Sequence, residues 1–214
     1  YVIFGLYFSV KTGISADEFI ELYNWQLSKD AIKDFFGFNN YGYTNLFAYD
    51  WKFHGIAHHF FSKPYTYIIG SIFKIENLSL DTSNILLNHS FTFLIFFGSG
   101  IFAKKILNLI IEDDDFSNLF LVFYLLYPYL LGHGFYNPKD IPFLFVWLVL
   151  TYISTSLFIK VKNDIRINIQ DILVLSALTA LLFSIRISGI LILLQYSITF
   201  LITLNLSKKT FFTF

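Results

Sequence analysis

Between Ile172 and Leu206 the chain reads ILVLSALTALLFSIRISGILILLQYSITFLITLNL, 35 residues in which Arg186 is the only charge. A helix crossing a bilayer needs roughly 20 apolar residues, with about 17 at the short end. The run is therefore too long for one span and barely long enough for two. Ser184, Arg186, Ser188 and Gly189 cluster near its middle. Whether the chain turns there decides the topology, and the flanking charges supply the answer.

Three further stretches are apolar enough to cross: Ile85 to Ala103, Phe116 to Leu131 and Pro142 to Ile159, with 19, 16 and 18 residues. Tyr1 to Val10 is too short and reads as the end of a truncated helix. Lys104 and Lys105 follow the first of these spans, Lys160, Lys162 and Arg166 the third, and Lys208 and Lys209 the 35-residue run. Cytoplasmic loops are the ones enriched in Lys and Arg. If all three clusters are cytoplasmic, an even number of crossings separates each pair, and the long run must be a hairpin turning near Arg186 to Gly189. The expected fold is all-α: a polytopic helical membrane protein, with residues 1–214 forming a single transmembrane domain. Its spans lie at about 85–103, 116–131, 142–159, 172–185 and 187–206, after a long first outer loop at about 11–84.

Composition agrees. Hydrophobic residues are 56% of the chain, charged residues 14%, and mean hydropathy is +0.61, whereas a soluble globule carries about 25% charged residues. Fifteen basic residues balance fifteen acidic ones, so no polybasic face points to nucleic acid. The absence of cysteine excludes a disulfide scaffold, a thiolate metal site and a cysteine nucleophile. Methionine is absent as well, even at position 1, which reads as an internal fragment.

On this topology the polar chemistry collects on the outer side. All five histidines, His54, His58, His59, His89 and His133, lie there or near that interface, as do Asp17, Glu18, Asp140 and Arg186. The first outer loop is rich in aromatics, and Leu22, Trp25, Gln26 and Lys29 fall at helical spacing among polar neighbours. Such segments read as interfacial amphipathic helices with Trp and Tyr at headgroup level.

Four groups of residues carry candidate chemistry. Asp17-Glu18 is a carboxylate pair suited to general-base work or to a divalent ion. Equally, Ser15-Ala16-Asp17-Glu18 fits a capping box, with Ser15 at N-cap and Glu18 at N3. Gly132 to Phe143 joins two spans and places His133, Lys139 and Asp140 within eight residues. The plain alternative is a turn in which Asp140 caps the next helix. Arg186 either snorkels to the interface or faces a cavity and grips an anion such as phosphate. His54, His58 and His59 have i, i+4 spacing without the HExxH pattern of a zinc site, while His89 sits beside Asn88 one turn into a span, where a cavity role fits.

This order of features resembles the GT-C fold glycosyltransferases that use polyprenyl-phosphate sugars, among them protein mannosyltransferases and lipid A aminoarabinose transferases. The matching residues are Asp17-Glu18 after the first helix, His133 to Phe143 ahead of a later span, and Arg186-Ile187-Ser188-Gly189. The resemblance covers most of the chain and corresponds to the N-terminal half of such a membrane domain. It implies an integral-membrane enzyme of the bacterial inner (plasma) membrane, active on its extracytoplasmic face. Such an enzyme moves a sugar, with inversion, from a polyprenyl-phosphate donor in the bilayer to a hydroxyl of a glycan, lipid or protein acceptor. In that reading Asp17 is the base, assisted by Glu18. Arg186, Lys139 and His133 receive the departing phosphate, Asp140 positions Lys139, contacts the sugar or shares an ion with Asp17, and His89 binds substrate. A divalent cation near the acidic residues is sometimes seen in the family, and this sequence leaves the metal unassigned. The rival reading is a fragment of a secondary transporter or channel with an outward-facing polar cavity lined by Arg186, Asp140 and His89.

Overall fold

The computed structural model describes residues 1–38, 42–49, 55–73 and 81–211. His54, and with it the His54–His58 spacing, lies outside them. Among the described residues the chain forms ten α-helices and no strand: α1 (Val2–Ser9), α2 (Ala16–Phe35), α3 (Gly42–Ala48), α4 (His59–Ile72), α5 (Asp81–Ile111), α6 (Asp114–Leu126), α7 (Pro128–Tyr136), α8 (Asp140–Lys162), α9 (Ile169–Ile185) and α10 (Leu191–Phe211).

Two of these helices, α5 over Thr82–Ile111 and α8, are long and apolar enough to cross a membrane. The apolar stretch from Phe116 to Leu131, expected as one span, is instead broken at Tyr127, and α6 and α7 meet at 61°. Pro128 is the cause. Proline lacks the N–H that would continue the helix and disfavours helical geometry in the residue before it, and Tyr127 is accordingly extended. Counted together, the bent pair makes a third span. The 35-residue run breaks at Arg186, which is extended, a short 3-10 turn covers Ile187–Ile190, and α10 follows; the two expected spans on either side are apolar helices shorter than a full crossing. Gly189 permits that turn, because a Cβ there would stand 3.1 Å from the Leu182 backbone.

The chain divides into two compact units, residues 1–96 with 131–142, and residues 97–130 with 143–214. In the second, α9 and α10 form a hairpin tied by Thr179 and Tyr196 hydroxyls 3.1 Å apart, and Gln195 donates to Thr151 at 2.9 Å. Its apolar core includes Leu150, Leu182, Ile185 and Ile192.

The first unit is built around Phe93 and Phe96 of α5, both fully buried. The Phe93 ring stacks on Phe135 and lies 5.7 Å from Tyr1, while Gly5 and Gly134 give the two rings their space: a Cβ on either glycine would run into Phe93 or Phe96 respectively. One turn earlier, α5 buries Asn88, His89, Ser90 and Thr92. A polar belt on an otherwise apolar helix is costly to bury unless it finds partners, and these residues face α1, α2 and α4 for that reason. Helix α4 has the inverse of a water-soluble helix's pattern. His59, Ser62, Thr66 and Gly70 are buried, whereas Phe60, Phe61, Tyr67, Ile68 and Ile72 are exposed. Polar side in and apolar side out is what a helix lying against lipid requires.

Candidate functional site

The site starts at the first turn of α2. Ser15 is the N-cap, and its backbone N–H donates to Glu18 Oε2 at 2.7 Å, so the Glu18 arm of the capping box forms as the sequence suggests. Glu18 also does more than cap. Its other oxygen, Oε1, lies 2.5 Å from His89 Nε2 on α5, and His89 Nδ1 lies 3.1 Å from the Ser9 carbonyl at the end of α1. Both side chains are buried, His89 completely. Three segments thus meet on one histidine.

One turn along α2, Glu21 shares the face of Glu18. It is 6% exposed, and its Oε1 accepts from Lys139 Nζ at 2.8 Å across 118 positions of sequence. Lys139 is held by the turn before α8. Asn137 Oδ1 accepts from the backbone N–H groups of Lys139 and Asp140, at 3.1 and 2.9 Å. The same side chain's amide nitrogen donates to Asp140 Oδ2 at 3.1 Å and to His133 Nδ1 at 2.8 Å. With its oxygen accepting two backbone donors, the amide orientation of Asn137 is fixed, and His133 must carry its proton on Nε2.

Beside this joint lies a cavity of about 10 Å³, lined by residues including Glu18, Glu21, His59, Lys63, Asn88 and Pro138. That is room for about one water molecule. Several buried polar atoms of this unit have no hydrogen-bond partner among the described residues: Glu21 Oε2, Asn24 Nδ2, Asn88 Oδ1 and both ring nitrogens of His58. The His58 and His59 imidazoles lie against each other, centroids 3.8 Å apart and tilted by 38°, and His59 also packs on Trp25. Burial pushes the His58 imidazole down to about 3, with the Lys63 and Lys139 charges adding to it. Burial likewise holds His59 well below the usual histidine range, helped by His58 and Lys63 and opposed by the Glu21 backbone carbonyl. Both rings are therefore neutral. Among the described residues no three His, Asp or Glu side chains are placed to hold a metal ion.

Of the residues singled out from the sequence, Glu18, His89, His133, Lys139 and Asp140 come together in the first unit around α2 and the turn before α8. Asp17 is exposed at the second position of α2, next to the joint and not among the residues lining the cavity. Arg186 belongs to the second unit, exposed at the break between α9 and α10. His89 was expected to contact substrate; both its nitrogens are instead taken by protein groups. Glu21 and Asn137 escaped as individual residues. Glu21 was legible as the carboxylate one turn after Glu18, whereas nothing in the sequence marks Asn137 as the hub beyond its place two residues before Lys139.

The described chain is an all-α protein with two helices, or three if the bent pair is one span, long and apolar enough to lie in a membrane. No family model matches it, and neither does any curated protein or solved structure.

Proposed function

We propose that the chain is part of an integral-membrane glycosyltransferase that moves a sugar from a polyprenyl-phosphate donor to an acceptor hydroxyl on the extracytoplasmic side. The observation that carries the reading is the ion pair between Glu21 and Lys139. It joins the helix start bearing Asp17 to the Asn137–Asp140 turn, the two motifs on which a lipid-linked sugar transferase depends.

The chemistry assigns each group a task. The acceptor hydroxyl attacks the anomeric carbon as the bond to the lipid phosphate breaks, so the configuration inverts. Asp17 takes the hydroxyl proton, and its exposure leaves the carboxylate accessible to an acceptor approaching from water. General-base assistance requires an approach of about 2.6 to 3.2 Å. The departing phosphate keeps the bonding pair and needs positive charge to stabilise it, which the partly exposed Lys139 ammonium, shared with Glu21, brings to the turn before α8. His133 and Asp140, tied to each other through Asn137, orient the sugar at the turn. The cavity next to Glu21 is too small for a sugar, so it belongs to the joint and the substrate sits outside it.

The test is sugar transfer by the full-length protein in nanodiscs from a polyprenyl-phosphate-linked donor. Asp17→Asn should lower turnover by about two to four orders of magnitude, the usual worth of a positioned base. Wild-type turnover in that variant would remove the base and with it the mechanism.

A further inference from the structure

We propose that His89 is a positioning residue for Asp17, acting through a single proton it shares with Glu18. The proposal rests on the transferase reading for what Asp17 does, and on donor–acceptor geometry alone for the joint itself.

A backbone carbonyl can only accept a hydrogen bond. The contact of His89 Nδ1 with the Ser9 carbonyl at 3.1 Å therefore puts a proton on Nδ1. Nε2 faces Glu18 Oε1 at 2.5 Å, which needs one proton between a ring nitrogen and a carboxylate oxygen. Either the imidazole is doubly protonated against a carboxylate, or Glu18 is a carboxylic acid donating to a neutral ring. In both cases the pair holds one proton between the two sites and has no net charge. That suits a histidine with no exposure at all and a carboxyl at 4%, since an unpaired charge there would be strongly disfavoured. The second carboxyl oxygen is taken by the Ser15 N–H at 2.7 Å.

Every polar atom of both side chains is thus committed to the protein, and none is left for a substrate. Glu18 and His89 act on the reaction by holding the start of α2, and so the residue preceding Glu18, at a fixed place relative to the end of α1 and to α5. Asp17 needs that support because it sits exposed on the first turn of α2, directly after the irregular segment at Lys11 to Ile14.

The geometry separates positioning from chemistry. Glutamine at position 18 mimics the protonated acid: its oxygen accepts from Ser15, and its amide donates to a neutral His89. In the full-length protein Glu18→Gln should keep kcat within about threefold of wild type. Glu18→Ala and His89→Ala should each lose about a hundredfold in kcat, the typical cost of misplacing a reacting group by about 1 Å, with KM for the lipid-linked donor unchanged. Amide hydrogen exchange at Ser15 and Glu18, whose N–H groups are hydrogen-bonded at this helix start, gives a reading that needs no turnover: it should accelerate in the two alanine variants and stay at the wild-type rate in Glu18→Gln. If Glu18→Gln is as inactive as Glu18→Ala, the carboxylate itself takes part in the reaction and the proposal is overturned. Wild-type exchange and turnover in His89→Ala would overturn it equally. If Asp17→Asn turns over normally while the exchange pattern holds, the transferase mechanism fails and the joint stands.

Discussion

Lys139→Met is the perturbation whose cost follows most directly from the structure. Glu21 is buried, its Oε2 has no hydrogen-bond partner among the described residues, and its Oε1 depends on Lys139. Removing the ammonium would leave a carboxylate in the interior with neither oxygen satisfied by that contact. Breaking one side of a buried ion pair typically costs about 3 to 5 kcal/mol. The lower end applies, because the Lys139 side chain keeps 18% exposure against 8% for Glu21 and water reaches the vacated end. The same difference predicts an asymmetry. Glu21→Gln leaves a cation that can swing toward water, at about 1 kcal/mol, near the net worth of one hydrogen bond. The double variant Lys139→Met/Glu21→Gln removes the stranded charge and should recover about 2 kcal/mol of the Lys139→Met loss. Equilibrium unfolding in mixed micelles, followed by fluorescence including that of Trp25, measures all three. A Lys139→Met cost below about 0.5 kcal/mol, the size of an ordinary surface substitution, would refute the claim that this lysine neutralises a buried carboxylate.

Gly5→Ala should destabilise by about 1 to 3 kcal/mol, because the new methyl runs into the Phe93 ring; unfolding midpoints in detergent check it, and Phe93→Leu should restore part of the loss. The His58–His59 pair makes stability sensitive to acid. With His58 held at about 3 and His59 well below its usual range, the unfolded chain takes up protons from about pH 6.5 downward while the folded chain does not. Stability should therefore be independent of these two groups above about pH 6.5 and fall as pH drops from there toward 3, and His58→Phe should flatten that slope. With no native cysteine, single cysteines introduced at Lys11 and Lys162 should react with a membrane-impermeant maleimide from opposite sides of the bilayer, and same-side labelling would break the charge-based orientation.

Local signals explain what the sequence disclosed. The capping box at Ser15 and the break at Arg186 both depend on neighbours a few residues away, and both lie where reading along the chain puts them. The hydropathy of Phe116 to Leu131 concealed Pro128, since an average over apolar residues does not register a missing N–H. What stayed hidden was partnership across distance. Glu18 is an N3 residue by pattern, yet its second oxygen belongs to His89, 71 positions away. Glu21 looks like any helix-surface acid until Lys139 arrives from 118 positions further along the chain. His58 and His59 read as interface histidines, the i, i+4 spacing belonging to His54 and His58. Burial, which no spacing encodes, makes them a neutral pair of rings in contact.

The reversed polarity of α4 has a practical consequence. With Phe60, Phe61 and Tyr67 turned outward and His59, Ser62 and Thr66 turned inward, cutting this region free as a soluble fragment would put its greasiest side into buffer. Such a fragment should clump, and any crystallisation or binding study of it will need detergent or lipid from the first step of purification.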